Sequence, residues 1–471
     1  MIIATFSGVR MIHNDQYQIH VRRYTSAFSR NIKQIADVQE RGQLASQINK
    51  NIVIVGRDGR EVSQQYVDHV LQVLVDHGFK PLYVDTVPTP TVQQLVQLKH
   101  AVGGIVITAS HNPGNWCGLK FLGPSSLFLS PDECQIVYGD LQNEEAYDNP
   151  KPECDRISSE EAIKIHVDHV LKSNLVKVQQ IRDCNFKIAF NGMCASGNAY
   201  IPYLAEVLNL QLLRYNSNIG PLPQKPEPTP QNLQDFKDFI QSQKSSIDVG
   251  FAVDPDADRC VIVDQFGEPV LEELTLSLCV EYVLSQSAEQ FAVKNCSSSM
   301  SNDVICRSHG AKIIETAVGE VNVALRMREL NARIGGEGNG GVILSDAHLG
   351  RDSIVAICLI LSYMAVSHQP ISTLVNKMPK FTVIKEKYEF DPQNRSNLLL
   401  KMEQLKSFTE NHPNQFRILT VDGVKLIYDE KLKWVHVRFS NTEPIVRIIA
   451  EAQTENECRE LIKKVEDLVF K

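Results

Sequence analysis

Apolar and polar positions along the chain change period in a repeating order. Residues 51–56 (NIVIVG) are a short β-branched run, the pattern of a buried strand. Over residues 63–77 the apolar spacing turns helical, with Val67, Val70, Leu71, Leu74 and Val75 on one face and Gly78 as the stop. Residues 81–85 read as a strand, Pro88 and Pro90 as a loop, 92–99 as a helix and 103–108 (GGIVIT) as a third strand. This alternation predicts a doubly wound sheet of parallel strands. It returns at 186–190, 199–208 and 248–253, and again at 312–316, 321–330 and 342–344, so the three units resemble weak internal repeats. After Pro379 the pattern changes. Residues 382–390 and 434–439 alternate like strands, and 397–408 and 455–470 have helical spacing. The expected fold is three similar doubly wound α/β domains (1–150, 151–265 and 266–378) and a smaller C-terminal α+β domain (379–471). Asp148, Asn149, Pro150 and Pro152 mark the first boundary.

Composition narrows the function classes. The chain has 471 residues, 43% hydrophobic and 22% charged, which suits packed cores. A net charge of −8 with no dense Lys/Arg block argues against a nucleic-acid partner. The longest apolar run, 354–366, is too short to span a bilayer and reads as a buried helix, so no membrane partner is expected. The first residues lack a basic stretch followed by a long apolar run, so no secretory leader is expected. Eleven scattered cysteines without a CxxC pair fit reduced thiols and a cytoplasmic location.

Four loops carry the candidate chemistry. The segment 107–113 (ITASHNP) follows an apolar strand and presents Ser110 beside His111, with Lys120 ten residues beyond Ser110. An acceptor hydroxyl, an imidazole and an ammonium are what phosphoryl transfer needs, although a polar turn would use the same residues. DPDADR (254–259) crowds Asp254, Asp256 and Asp258 at the end of another apolar strand, with Arg259 at the edge. Three carboxylates so close repel unless a cation joins them, and an all-oxygen set suits Mg²⁺. GGEGNGG (335–341) contains a literal GxGxxG, but Glu337 would repel a pyrophosphate, and a strand-like run follows instead of a helix. Sugar hydroxyls suit Glu337 and its neighbour Asn339 better. RFSNTEPIVR (438–447) gathers Arg438, Ser440, Asn441, Thr442 and Arg447 into a cradle for phosphate, or else a hairpin with surface charges. His166 and His169, three apart on a predicted helix, read as a solvated face. Trp116 and Trp434 read as core or pocket wall.

With these four loops in this order, the sequence resembles the α-D-phosphohexomutase family over nearly its whole length. SGVR (7–10), GRDGR (56–60), PTPT (88–91) and DGVK (422–425) add to the likeness. The resemblance implies four domains around a central cleft. It implies Ser110 as the phosphate carrier, and Mg²⁺ held by the phosphoryl oxygen on Ser110 with Asp254, Asp256 and Asp258. Arg10, His111, Lys120 and Arg259 would flank the transferring phosphate, with Lys120 or His111 as acid/base. Glu337 and Asn339 would hold sugar hydroxyls, and Arg438, Ser440, Asn441, Thr442 and Arg447 the non-reacting phosphate. The partner implied is a small phosphosugar, interconverted between its 6- and 1-phosphates through a sugar 1,6-bisphosphate that also serves as activator. AVGEVNV (317–323), GGEGNGG and GRDS (350–353) are most similar to phosphoglucosamine mutases, with Glu320 as the residue to face an amine. Met11, Cys117 and Gly341 depart from the family pattern. Phosphomannomutase or phosphoglucomutase activity stays open as an alternative. From other classes, so do a metal-dependent phosphatase, a DxD glycosyltransferase and a noncatalytic sugar-phosphate binder.

Overall fold

A computed structural model describes residues 1–39, 48–144, 150–243, 246–410, 416–440 and 445–470. The predicted alternation builds three α/β sheets and one antiparallel sheet. In the first, Asn49–Arg57 pairs in parallel with Lys80–Thr86 and Ala101–Ile107. In the second, Lys187–Asn191 pairs in parallel with Gln211–Tyr215 and Val249–Val253. In the third, Phe291–Asn295 pairs in parallel with Lys312–Thr316 and Ile334–Glu337. The fourth sheet, Thr382–Glu389, Ile445–Ala452, Lys433–Phe439, Val424–Tyr428 and Arg417–Leu419, is antiparallel throughout.

The three α/β sheets share a feature the periodicity did not foretell. Each parallel strand that leads into a candidate loop returns at once as an antiparallel neighbour. Ala101–Ile107 returns as Trp116–Leu122, Val249–Val253 as Cys260–Val263, and Ile334–Glu337 as Gly341–Leu344. The loops are therefore hairpins anchored at both ends by a buried ladder, which restrains a loop more than a strand-to-helix turn does. SGVR lies on Gly8–Ile12, which pairs antiparallel with Trp116–Leu122 and brings Arg10 opposite Gly118. Asp155–Arg156 adds to the far edge of the first sheet, beside Lys80–Thr86.

One apolar core runs from Ile54 and Val92 through Ile163, Phe190 and Phe251 to Ile334 and the helix Ser353–Ser367. That helix corresponds to the apolar run 354–366, and its residues are buried over most of its length. Among the described residues no single helix is long and apolar enough to cross a membrane; Ser353–Ser367 and Ile371–Lys377 pass only together, bent by 95°. All eleven cysteines are free thiols.

Some expectations need correction. Pro90 lies in the first turn of the helix Thr89–Leu98 instead of in a loop, because a proline there forgoes only an N–H with no helical partner. The helix carrying His166 and His169 exists as Ser159–Val170, but His166 does not face solvent. It is fully buried, because its face packs against segments far away in the sequence. Trp434 is core, with no exposed surface. Met11 and Cys117 are buried between the first sheet and its helices, so these two departures are packing choices.

Gly118 shows how tightly the hairpin that carries Ser110 is built. A Cβ there would stand 2.0 Å from the carbonyl oxygen of Val9 and 3.0 Å from Arg10 Cα. Gly118→Ala should push these strands apart and destabilise the protein by about 1–3 kcal/mol, as overpacking does. Gly139→Ala, at a site with no atom within 4 Å of the added methyl, should leave the thermal melting midpoint nearly unchanged. Equal midpoints for the two variants would refute this reading of the hairpin.

Candidate active site

Ser110 sits just past the strand Ala101–Ile107 and is 1% exposed. Its φ of +50° lies in the left-handed region, a strain of about 1–3 kcal/mol for a residue with a Cβ. A buried frame holds it there. The Ser110 amide donates to Thr108 Oγ1 at 2.8 Å, and that hydroxyl donates to Asp58 Oδ2 at 2.6 Å. Arg60, fully buried, bonds Asp58 at 2.7 Å, the Trp116 carbonyl at 2.6 Å and the Ser110 carbonyl. GRDGR is thus the scaffold of the reactive loop. The Ser110 hydroxyl is left facing Asp254 Oδ2 at 3.2 Å and His111 Nδ1 at 3.3 Å.

Asp254, Asp256 and Asp258 are all fully buried, with one oxygen from each within 4.8 Å of the others. Lys120 reaches Asp256 at 2.6 Å and Asp258 at 3.1 Å, and Thr89 donates to Asp256 at 2.7 Å. Burial and then the other two carboxylates push Asp254 well above its usual range. Burial would raise Asp258 too, but Arg351 and Lys120 outweigh it and hold that carboxyl well below. Asp256 Oδ1 and Asp258 Oδ1 are buried with no hydrogen-bond partner. A trio of inward carboxylates with two unsatisfied oxygens is a donor set that fits a hard divalent cation.

Around Ser110, Arg10 donates to Asn112 Oδ1 at 3.0 Å, and Arg259 to Glu227 at 3.2 Å. Burial, then Arg259 and Arg10, hold the His111 imidazole well below its usual value. Burial would also depress the Lys120 ammonium, but Asp256 and Asp258 overcome it and hold it above its usual value.

The third hairpin is joined to the second through Arg351, which lay in the quoted GRDS segment but carried no assigned role. Its guanidinium bonds Asp258 at 2.6 Å, Glu337 at 2.6 Å and Glu320 at 3.0 Å. Gly341 is where the Arg351 chain passes: a Cβ there would lie 2.2 Å from Arg351 Cδ. This departure from the family pattern makes room for the arginine. Glu337 also accepts from Asn295 at 2.6 Å and from the Gly319 amide at 3.0 Å. Glu320 begins the helix Glu320–Leu330, and its second oxygen accepts from Gln93 at 2.9 Å. Asn339 Oδ1 accepts from the Gly341 amide at 3.2 Å.

On the fourth sheet, Arg438 and Arg447 stand directly opposite each other on paired strands. Like charges in that position repel, and an anion between them relieves the repulsion. The Ser440 amide donates to the Ile445 carbonyl at 2.9 Å. Asn441 and Thr442 lie outside the described residues.

A single cavity of about 320 Å³ brings these parts together. Ser110, Arg10, Lys120, Arg259, Glu320, Glu337, Asn339, Arg438 and Arg447 all line it. The sequence reading missed Phe6, Ser7, Glu273, Asn295, Arg351 and Lys385 in its walls. None of these belongs to a loop with distinctive local chemistry, apart from Ser7 in SGVR and Arg351 in GRDS.

Known proteins resemble this chain over nearly its whole length. Residues 8–148, 164–267 and 273–381 match α/β/α domains I, II and III of phosphoglucomutase/phosphomannomutase, and 392–468 match its C-terminal domain. A Thermococcus kodakarensis phosphoglucomutase/phosphomannomutase is 32% identical, with 88% of each chain covered. The chain belongs to the α-D-phosphohexomutase family. A phosphoglucosamine/phosphogalactosamine mutase of Sulfurisphaera tokodaii is 27% identical over 88% of this chain and 91% of its own. The solved structure of a Burkholderia thailandensis phosphoglucomutase/phosphomannomutase family protein shares the fold, with a TM-score of 0.77 at 20% identity over 99% of this chain and 96% of that one. This phosphohexomutase is accordingly an isomerase.

Glu273 gives the cavity wall a measurable pH signature. Burial pushes its carboxyl up to about 8 against the opposing pull of Lys385. The folded state then keeps a proton that the unfolded chain releases near 4.5, so the contribution is full below that value and is lost as pH rises through 8. The melting temperature should fall across this window, and Glu273→Gln should flatten the fall. A pH profile unchanged by the substitution would place the ionisation elsewhere.

Proposed function

We propose that this phosphohexomutase moves a phosphoryl group between the 6- and 1-oxygens of an amino hexose, with Ser110 as its covalent carrier. The observation that carries the reading is the placement of the strained Ser110 hydroxyl, against Asp254, in the same cavity as the Arg438–Arg447 pair. One end suits transfer and the other suits holding a phosphate that does not react.

In the first half-reaction, the free sugar hydroxyl attacks the phosphorus of phosphorylated Ser110. The new sugar O–P bond forms as the Ser110 O–P bond breaks. The hydroxyl proton is taken up and the departing Ser110 oxygen is protonated in turn, with Lys120 or His111 as acid/base, so no proton is gained or lost overall. The sugar 1,6-bisphosphate then exchanges ends, and the same steps run in reverse on the other phosphate. The Lys120 ammonium, Arg10 and Arg259 supply positive charge beside the transferring group. Glu337 and Asn339 orient the sugar hydroxyls, and Arg438 and Arg447, with Ser440, Asn441 and Thr442, grip the idle phosphate. Asp254, Asp256 and Asp258 would hold Mg²⁺, which when bound neutralises charge on the phosphoryl oxygens.

The charge of the middle of the cavity favours an amino sugar. Glu320 and Glu337 share Arg351 with Asp258, three carboxylates on one guanidinium. Burial holds the Glu320 carboxyl above its usual range despite Arg351. A substrate ammonium would offset that deficit, and glucosamine 6-phosphate carries one.

Ser110→Ala should lose the phosphorylated mass species seen after exposure to a hexose 1,6-bisphosphate, and turnover should fall by several orders of magnitude, since no carrier remains. Full turnover in that variant would end the covalent reading. For the substrate, kcat/KM is compared for glucosamine 6-phosphate and glucose 6-phosphate in wild type and Glu320→Gln. A charge-assisted contact on the order of 1.5–3 kcal/mol predicts a roughly tenfold to hundredfold drop for glucosamine alone. An equal drop for both sugars would assign Glu320 to the framework that holds Arg351.

A further inference from the structure

A second cluster of buried polar groups begins one residue after Arg351. Asp352 caps the helix Ser353–Ser367 through Oδ1, which accepts the Ile354 amide at 2.8 Å. Its other oxygen faces two histidines: His166 Nε2 at 2.9 Å and His348 Nε2 at 3.2 Å. The three residues are 0%, 0% and 2% exposed for Asp352, His166 and His348, and one donor atom from each lies within 4.8 Å of the others. On its far side His166 Nδ1 meets Thr91 Oγ1 at 2.9 Å.

We propose that His166, His348 and Asp352 form a second metal site, taking a borderline divalent ion of the zinc type and separate from the aspartate triad. The donor set separates the two sites. The triad offers only carboxylate oxygens, which suit a hard ion, whereas two imidazole nitrogens and one carboxylate suit zinc or cobalt. Spacing agrees. Ligands held at about 2.0–2.1 Å in a tetrahedron stand roughly 3.3 Å apart, so distances of 2.9 and 3.2 Å need only a slight outward shift. Two of the three ligands have an orienting partner, a hydroxyl on the second nitrogen of His166 and a backbone amide on the second oxygen of Asp352, while His348 Nδ1 is buried without one. His348 also lines a cavity of about 560 Å³, shared with Gln97, Ser126 and Met327, which offers an entry path and room for water as fourth ligand. The ion would join the helix Ser159–Val170 to the turn before Ser353, which belong to two different domain-model matches, with Thr91 of the helix Thr89–Leu98 behind His166. It would thereby fix the backbone beside Arg351. The rival arrangement is a hydrogen-bonded brace, in which both rings donate Nε2–H to Asp352 and no ion takes part.

The test uses full-length protein stripped by chelation and then given Co²⁺ or Zn²⁺ alone, without Mg²⁺. One Co²⁺ per chain should bind with a tetrahedral visible spectrum lacking thiolate charge-transfer bands. That spectrum should persist in Asp256→Asn and vanish in His166→Ala and His348→Ala, and Zn²⁺ should raise the melting temperature of the wild type. A spectrum that survives loss of either histidine would overturn the proposal. So would folded wild type that takes up no such ion and melts at the same temperature with and without Zn²⁺, which would leave only the brace. Where a histidine variant fails to fold, the ion count and Zn²⁺ melting shift of Asp256→Asn, in which the triad is impaired, decide the matter: no ion and no shift in that variant overturns the proposal.

Discussion

The active site depends on holding five buried carboxylates close together in a low-dielectric interior. Asp254, Asp256, Asp258, Glu320 and Glu337 are almost wholly buried, and Lys120, Arg351 and Arg259 pair with them, Arg259 at 3.9 Å from Asp254 and 3.8 Å from Asp258. Lys120 bridges Asp256 and Asp258, and Arg351 bridges Asp258, Glu320 and Glu337. Burying such ions is expensive, and the cost falls only where geometry and added hydrogen bonds are good. Thr89, Gln93, Asn295 and the Gly319 amide supply those bonds. Within the network Asp256 Oδ1 and Asp258 Oδ1 are left without a hydrogen-bond partner.

This network needs precise backbones, and the three hairpins provide them. A loop closed at both ends by a buried strand cannot drift, so a side chain at its tip is placed by the sheet. The second and third hairpins also touch directly, the Cys260 amide donating to the Gly340 carbonyl at 2.9 Å. The same construction lets Ser110 remain in the left-handed region, because Arg60 and Thr108 hold the surrounding loop against relaxation.

The architecture separates two demands on a mutase. The hairpins that carry Ser110, the aspartate triad and Glu337 are buried, and their ladders run into one shared core. Arg438 and Arg447 come from a separate antiparallel sheet with its own small core. Contact between the two runs partly through charge. Asp422 accepts from the Val318 amide at 3.3 Å and lies 3.8 Å from Arg438, and Lys425 pairs with Glu315.

Local pattern was enough to locate strands, helices and the four chemical loops. The reason is that apolar period and turn residues act over a few positions, and a chemical loop concentrates its functional groups within a few more. Ser110, the aspartate triad, Glu337 and the arginine pair were legible for that reason. What only the tertiary structure decided lies between distant segments. Arg351 is 93 residues from Asp258 and 31 from Glu320, so no local motif announces that one guanidinium joins them. The helical spacing around His166 says which residues share a face but not what that face meets. Its partner Asp352 is 186 residues away, and packing turned an expected solvated histidine into a buried one. Antiparallel return strands likewise escape notice, because a short apolar run looks the same in either direction. Sequence determined which groups are available for the chemistry; the fold determined which of them share a charge.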